Sequence, residues 1–252
     1  MAQLMEDKAG YVTGAAGGIG RGIAQELAKE GARVVVSDLE SATEGGQETV
    51  RLIEEAGGRA TFIAADVAQP DQVEALVQRT VEVFGALDYA VNNAGVAIHK
   101  PLAEVSPEDF DRVISINLKG VFLGLKYAIP VMVDAGGGAI VNVASVAGLT
   151  GVDLIGPYTA SKHGIVGLTK NAALEYSGRG VRVNAVAPNA IRTPLMDVSP
   201  PEFIEGLIAP QAMKRVGEPE EVGFAVAALL SDRSGFTTGV TLPVDGGYLT
   251  GA

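Results

Sequence analysis

A glycine-rich turn near the start of the chain constrains the fold more than any other stretch. The sequence Thr-Gly-Ala-Ala-Gly-Gly-Ile-Gly at residues 13–20 follows a short apolar run and precedes apolar residues at helical spacing. A valine-rich run at residues 32–37 then ends on Asp38. Glycine lets a backbone approach a pyrophosphate where a Cβ would collide, and a helix N-terminus offers free N–H groups to phosphate. The pattern predicts a strand, turn, helix and second strand that together bind a dinucleotide.

The glycine turn alone does not distinguish a dinucleotide site from an ordinary connection between a strand and a helix. The glycines at Gly14, Gly18 and Gly20 are separated by three residues and then by one, which is not the commonest dinucleotide spacing. Asp38 favours the dinucleotide site, because a carboxylate about twenty residues beyond the glycines can accept hydrogen bonds from an adenosine ribose.

Composition narrows the class of protein further. The chain has 252 residues and no linker-like stretch, so we expect a single domain over residues 1–252. A formal net charge of −11 with 19 scattered Lys and Arg argues against a nucleic-acid surface. The absence of cysteine and the presence of 2 histidines argue against disulfides and against a metal site. We find no signal peptide and no apolar run of membrane-spanning length, and therefore expect a cytoplasmic protein without a membrane partner.

Strand and helix patterns alternate along the chain. Strand-like apolar stretches lie at residues 11–12, 32–38, 60–65, 87–91, 139–144, 181–186 and 240–244. Helical patterns lie at residues 41–55, 70–84, 107–133, 156–177 and 218–230. Such alternation is typical of an α/β fold with a doubly wound parallel sheet and helices on both faces. Ligands of these folds bind at the carboxyl ends of the strands.

The helical pattern at residues 107–133 is apolar nearly all round. A helix of this kind cannot lie on a wet surface. Deep burial inside one subunit would explain it, but we favour a partner subunit that covers its outer face. The sequence therefore predicts a homo-oligomer.

Four polar residues form a candidate catalytic set. Tyr158 and Lys162 are four positions apart on one predicted helix and therefore share a face. Ser145 follows a predicted strand, and Asn117 lies in the apolar helix, where a buried amide needs a partner. Each residue has an ordinary structural explanation: a turn serine, an exposed Tyr–Lys pair and an asparagine bonded to its own helix. Their joint occurrence behind a nucleotide turn favours catalysis.

These groups suit proton transfer to or from an alcohol, coupled to hydride transfer with a nicotinamide. Tyrosine ionises near pH 10, so a base at neutral pH needs a pKa lowered by up to about 3 units. A Lys162 ammonium about 4 Å away supplies an interaction of about that size at an effective dielectric constant of about 20. Ser145 would then hold the substrate oxygen, and Asn117 would anchor a water that links Lys162 to solvent.

The order and spacing of these motifs resemble the short-chain dehydrogenase/reductase family over nearly the whole chain. The matching segments are residues 13–20, 66–67 and 92–95, Asn117, Ser145, Tyr158-x-x-x-Lys162 and Ile191-x-Thr193. The resemblance implies a seven-stranded Rossmann fold, a nicotinamide cofactor, and a homotetramer or homodimer in which helices 107–133 and 158–177 pair. It also implies that Tyr158 is the general acid/base and that Lys162 binds the nicotinamide ribose.

The resemblance also assigns the residues around the cofactor. Asp66 and Val67 would surround the adenine, and Ile191 and Thr193 would lie at the carboxamide. The full predicted set is Gly14, Gly17, Gly18, Ile19, Gly20, Asp38, Leu39, Asp66, Val67, Asn93, Ala94, Gly95, Tyr158, Lys162, Pro188, Ile191 and Thr193. Asp38 should repel the 2′-phosphate of NADP, and Gly17 stands where many NADP-preferring relatives carry a basic residue. We therefore expect NAD as the cofactor.

One position departs from the family pattern. The family usually has Pro-Gly where this chain has Pro188-Asn189. Asparagine tolerates a left-handed backbone better than other non-glycine residues, so we expect cofactor binding to survive and the pocket to be reshaped.

The substrate is the least determined feature. The residues expected to border it are mostly apolar: Val96, Ile98, His99, Val146, Leu149, Leu154, Ile155, Leu195, Met196 and Phe203. We expect a secondary alcohol or ketone with a hydrophobic or cyclic body rather than a sugar. Residues 195–213 are expected to form a lid. The alternatives are an NADPH-dependent 3-oxoacyl carrier-protein reductase and a non-catalytic NAD-binding scaffold.

Overall fold

The computed structural model describes residues 3–197 and 201–251. Within this part of the chain seven parallel strands form one sheet in the order β3-β2-β1-β4-β5-β6-β7. The strands are β1 (Ala9–Thr13), β2 (Arg33–Asp38), β3 (Arg59–Ala64), β4 (Tyr89–Asn92), β5 (Gly138–Val143), β6 (Val181–Pro188) and β7 (Thr241–Val244). The predicted α/β class and Rossmann topology are confirmed.

Helices cover both faces of this sheet. Among the described residues they are α1 (Gly18–Lys29), α2 (Thr43–Glu55), α3 (Pro70–Phe84), α4 (Pro107–Val113), α5 (Gly120–Asp134), α6 (Gly156–Tyr176), α7 (Pro194–Asp197), α8 (Pro201–Ile208) and α9 (Pro219–Leu230). Leu27 of α1 and Val226 of α9 belong to the core on one face. Ile129 of α5 and Ile165 of α6 belong to the core on the other face. The sheet is therefore doubly wound, as predicted.

The order in which the chain adds strands to the sheet changes direction between β1 and β4. Strand β1 pairs with β2 on one side and with β4 on the other. The chain thus builds one half of the sheet through β3 and then crosses back to begin the second half at β4. This reversal leaves a crevice at the carboxyl ends of β1 and β4, where ligands of open α/β sheets bind.

The predicted helix at residues 107–133 is present, with a local change in its winding. A π-helical segment, Ile114–Lys119, lies between α4 and α5 and makes the three one continuous helix. This helix, Pro107–Asp134, is long and apolar enough to span a membrane, so the prediction that no stretch reaches that length is wrong. Half of its most apolar window is buried inside the molecule, and core helices of globular proteins meet the same criterion, so it is weak evidence for a membrane span.

Candidate active site

A cavity of about 810 Å³ opens at the carboxyl ends of the strands. It brings together predicted residues that are far apart in the sequence. Those on its wall are Gly14, Gly17, Ile19, Gly20, Asp38, Leu39, Asp66, Val67, Asn93, Ala94, Gly95, Ser145, Tyr158, Lys162, Pro188 and Thr193. The glycine turn, the acid at the end of β2 and three of the four candidate catalytic residues therefore share one cavity.

The glycine turn is shaped as a cradle. Gly14 has a φ of +65°, and a Cβ added at Gly20 would lie 2.1 Å from the Gly14 carbonyl oxygen. A Cβ added at Gly17 would meet nothing within 4 Å, so the open side of the turn has room for a ligand. The Asn93 side chain fixes the turn from below, since its Nδ2 donates to the carbonyls of Thr13 (2.8 Å) and Gly14 (3.1 Å).

The carboxylate of Asp38 is oriented by two backbone groups. Its Oδ2 accepts a hydrogen bond from the Ala16 N–H (3.0 Å) and its Oδ1 accepts one from the Leu39 N–H (2.8 Å). Each oxygen retains capacity to accept a ligand hydroxyl. A glycine cradle followed by an oriented carboxylate fits the pyrophosphate and adenosine ribose of a dinucleotide.

Tyr158 and Lys162 lie one turn apart on α6; Lys162 is buried and Tyr158 is partly exposed. The Lys162 Nζ donates to the Val143 carbonyl (2.7 Å) and lies 5.3 Å from the centroid of the Tyr158 ring. Burial lowers the pKa of Lys162 to about 8. Burial also raises the pKa of Tyr158, and a hydrogen bond with Ser145 opposes that rise.

The structure thus departs from the predicted electrostatics of the tyrosine. We expected Lys162 to lower the pKa of Tyr158, but in the protein alone the shift has the opposite direction. The physical reason is desolvation of the Tyr158 hydroxyl, which disfavours the phenolate. The predicted lowering of the Tyr158 pKa by Lys162 is therefore not found in the protein alone.

Ser145 begins the loop after β5 and is buried beside the cavity. Its Oγ accepts a hydrogen bond from the Ala147 N–H (3.2 Å) and lies 3.5 Å from the Pro188 carbonyl oxygen. These contacts hold the hydroxyl at the cavity wall, next to the hydroxyl of Tyr158.

Asn117 lies behind the cavity wall, in the π-helical segment. Its Oδ1 accepts from the Val96 N–H (2.8 Å), and its Nδ2 donates to the Val96 carbonyl (2.9 Å) and to the Ser161 Oγ (3.1 Å). Both amide N–H groups are therefore engaged. The side chain holds the loop after β4 against α6, which does not favour the predicted role as the anchor of a water beside Lys162.

Two predicted cofactor residues do not reach the cavity wall. Gly18 faces Thr193, whose Cγ2 would lie 3.4 Å from an added Cβ. Ile191 is buried in the core against α9 and pairs with Gly217 in a parallel bridge. Its side chain therefore belongs to the core and not to the cavity wall.

Three residues of the long helix line the cavity without having been predicted: Arg112, Ser115 and Ile116. The apolar pattern of residues 107–133 indicated only a buried helix. The sequence did hold one indication of these residues. Asn117 was predicted to be part of the site, and the three residues lie just before it in the same helix.

The predicted substrate wall is only partly assembled. Among its described members, Val96 lines the cavity, Val146 and Ile155 are buried, and His99 is exposed. Leu154 is half-exposed and has a φ of +63°, which is unusual for a leucine. Ile98, Leu149 and Met196 do not reach the wall, and the side chains of Leu195 and Phe203 lie outside the described residues, as do residues 198–200 of the predicted lid.

Asn189 lines the cavity, but not for the reason expected. Its φ is not positive, so the left-handed backbone that was thought to favour asparagine is absent. Its side chain instead donates to Gln211 (2.9 Å). The residue is thus compatible with an ordinary backbone and differs from glycine by adding a polar side chain to the wall.

The fold and the site together define a dinucleotide-binding oxidoreductase of the Rossmann type. A family model described as enoyl-(acyl carrier protein) reductase matches residues 14–249. The chain is 44% identical to a cyclohexanol dehydrogenase of Acinetobacter sp. (strain SE19) over 250 residues, which cover 98% of this chain and 97% of the relative. It is 38% identical to a 3-oxoacyl-[acyl-carrier-protein] reductase of Thermotoga maritima over 245 residues, which cover 97% of this chain and 99% of the relative.

A solved structure agrees over the same extent. The crystal structure of levodione reductase superposes with a TM-score of 0.92 at 38% sequence identity, covering 98% of this chain and 100% of that one. The chain belongs to the short-chain dehydrogenase/reductase family. Membership implies a nicotinamide nucleotide as cofactor and an alcohol dehydrogenase or ketone reductase activity.

Proposed function

We propose that this protein transfers a hydride between NAD(H) and a secondary alcohol or ketone with a hydrophobic, cyclic body. The observation that carries the proposal is the single cavity that holds Asp38, Ser145, Tyr158 and Lys162. Two of the relatives, named cyclohexanol dehydrogenase and levodione reductase, support a cyclic substrate.

The proposed roles follow from where the groups lie. Ser145 donates a hydrogen bond to the substrate oxygen, and Tyr158 takes the hydroxyl proton during oxidation or returns it during reduction. Lys162, hydrogen-bonded to the Val143 carbonyl, holds its charge near the Tyr158 ring. Asn117 keeps the loop after β4 in place. The nicotinamide, when bound, supplies the hydride acceptor or donor and, in its oxidised form, the positive charge that favours the phenolate.

The preference for NAD rests on charge at the end of β2. The Asp38 carboxylate is held toward the cavity by two N–H groups, so it accepts hydroxyls and repels a phosphate. No basic side chain stands at Gly17 to offset it.

An NADPH-dependent 3-oxoacyl carrier-protein reductase is the second candidate, and the Thermotoga maritima relative favours it. Asp38 and Gly17 disfavour NADPH, and a net charge of −11 disfavours an acidic carrier protein. A non-catalytic scaffold is the third candidate. Ser145, Tyr158 and Lys162 share the cavity, and Asn117 bonds the helix behind its wall. A scaffold would not need these catalytic groups, which disfavours this candidate.

The experiment follows reduced-nicotinamide absorbance while the protein is offered NAD or NADP with acyclic, cyclic and aromatic secondary alcohols, and with a 3-oxoacyl thioester in the reverse direction. We expect turnover with NAD that is fastest for cyclic alcohols. Turnover only with NADPH and the thioester would establish the second candidate instead. Tight NAD binding without turnover on any substrate would favour the scaffold.

A further inference from the structure

A hydrogen-bonded pair of side-chain amides lies beside the active-site cavity. Asn189 follows β6 and lines the cavity, while Gln211 lies beyond α8 and is 2% exposed. The Asn189 Nδ2 donates to the Gln211 Oε1 at 2.9 Å. The Gln211 Nε2 donates to the carbonyls of Met213 (3.0 Å) and Arg215 (2.8 Å).

This network fixes the orientation of both amides. Backbone carbonyls only accept hydrogen bonds, so the group of Gln211 that faces Met213 and Arg215 must be its NH₂. The Gln211 oxygen then faces Asn189. Because that oxygen can only accept a hydrogen bond, the Asn189 group that faces it must be the NH₂ donor. The Asn189 oxygen Oδ1 consequently lies on the branch of the amide that points away from Gln211.

The backbone around Asn189 is also fixed. Its N–H donates to the Val244 carbonyl at the end of β7 (3.2 Å). The preceding residue, Pro188, lies with its carbonyl oxygen 3.5 Å from the Ser145 Oγ. The oriented amide of Asn189 thus lies in the cavity wall. The residue before it, Pro188, contacts Ser145, the serine proposed to hold the substrate oxygen.

The amide adds a neutral hydrogen-bonding group to a cavity wall whose other polar side chains without a proposed role are Arg112 and Ser115. Of the predicted substrate wall, the described residue that lines the cavity is the apolar Val96. An amide can accept a hydrogen bond from a hydroxyl through Oδ1, or donate one to a carbonyl through its second N–H. A glycine at this position would offer neither group.

We propose that Asn189, oriented by Gln211, is a specificity-determining residue that favours cyclic substrates carrying a second hydrogen-bonding oxygen. This inference rests on the proposed alcohol dehydrogenase function and adds the substrate feature that the site selects. Asn189 binds the second oxygen, and Gln211 is a positioning residue that acts through Asn189.

The test compares kcat/KM with NAD for cyclohexanol and for the isomeric cyclohexanediols. The wild-type protein should prefer at least one diol, and Asn189→Ala should reduce that preference by about tenfold, the value of one neutral hydrogen bond. Gln211→Met, which keeps the side-chain length but has no amide, should reduce it in the same direction. The exposed amide of Asn171, which bonds Glu175, provides the control, and Asn171→Ala should leave the ratio unchanged.

A second readout does not depend on turnover. Ligand-induced thermal stabilisation is measured in the Tyr158→Phe background with NAD present, with and without Asn189→Ala. The diol should bind more tightly than cyclohexanol only when Asn189 is intact, and fluorescence titration should show unchanged NADH affinity.

Three results would overturn the inference: a wild-type protein that disfavours every diol, a diol ratio that Asn189→Ala leaves unchanged, or a loss confined to NADH affinity. Failure of the proposed function is a different outcome, namely no NAD-dependent turnover of any alcohol by the wild-type protein.

Discussion

At the residue scale, Lys162 shows how burial and charge compete in this site. The ammonium is enclosed by protein and is hydrogen-bonded to one backbone carbonyl, that of Val143. Desolvation outweighs that bond, so the pKa of Lys162 falls to about 8. Because Lys162 is charged at neutral pH, its burial costs folding free energy, and we propose that it is retained for its action on the tyrosine and on the nucleotide.

The cost predicts a pH dependence of stability. The unfolded chain holds the Lys162 proton up to about pH 10.5, whereas the folded protein releases it near pH 8. Between these values the unfolded state binds more protons, so wild-type stability should rise with pH relative to Lys162→Met, by about 3 kcal/mol in total. Urea unfolding of both proteins from neutral pH to about pH 10 measures this. Parallel curves for the two proteins would show that Lys162 keeps its ordinary pKa.

The acid at the end of β2 gives a second prediction at this scale. Asp38→Ala should weaken NAD binding and reduce the preference for NAD over NADP by about tenfold or more, because the repulsion of the 2′-phosphate is lost. Asp38→Asn is the matched control, since it keeps the shape and an acceptor for the Ala16 N–H while it removes the charge. Fluorescence titration with NADH and NADPH measures both affinities. A wild-type protein that binds NADPH as tightly as NADH would contradict the assignment.

Individual site residues were predictable where local chemistry requires them. Gly14 and Gly20 occupy positions where a Cβ would collide, and Asp38 ends a strand, so sequence spacing located all three. Side-chain direction was not predictable in the loops. Ile191 is buried toward α9, and Asn189 has a partner 22 residues further along the chain, which no local pattern reveals.

Among the helices, α1 and α9 cross at close range on one face of the sheet. A Cβ at Gly22 of α1 would lie 2.3 Å from the Pro219 Cβ at the start of α9. A Cβ at Gly223 of α9 would lie 2.7 Å from the Glu26 Cβ of α1. Glycine on both helices lets them approach, and the approach holds the glycine turn that begins α1.

Overpacking this crossing should destabilise the protein. We expect Gly22→Ala to lower the free energy of unfolding by about 1–3 kcal/mol. The matched control is Gly206→Ala in α8, where an added Cβ meets nothing within 4 Å. That change should raise stability by up to about 1 kcal/mol through helix propensity. Urea midpoints compare the two, and equal effects would show that the α1–α9 crossing is not tight.

The elements themselves were largely predictable from sequence. Short valine-rich runs and helical spacing located the seven strands and the main helices, because burial on both faces of a parallel sheet imposes strongly apolar patterns. The π-helical segment Ile114–Lys119 was not predictable. The contacts of Asn117 within it, to Val96 and Ser161, are made with residues distant in sequence.

At the scale of the whole molecule, apolar side chains remain exposed on two neighbouring helices. Phe110 and Phe122 of the long helix are 42% and 47% exposed, and Leu174 of α6 is 87% exposed. We propose that a second copy of the chain covers them, in a homodimer or homotetramer. A cytoplasmic location remains a prediction that cell fractionation would test.

The oligomer prediction is tested by light scattering at micromolar concentration. We expect the mass of a dimer or tetramer, and Phe122→Glu should lower it because a buried, unpaired charge disfavours association. Gln78→Glu, which adds the same single negative charge at an exposed position of α3, controls for the effect of net charge. A monomer mass for the wild-type protein would remove the prediction.

We propose that Tyr158 transfers the proton in an NAD-dependent oxidation of a cyclic secondary alcohol. The most direct measurement is NADH absorbance with NAD and cyclohexanol for the wild-type protein and for Tyr158→Phe, together with NADH binding to both. Loss of the hydroxyl should lower kcat by at least about a hundredfold while NADH affinity stays within a few fold, because the ring is kept and only the proton carrier is removed. A Tyr158→Phe protein that turns over cyclohexanol at the wild-type rate would contradict the account.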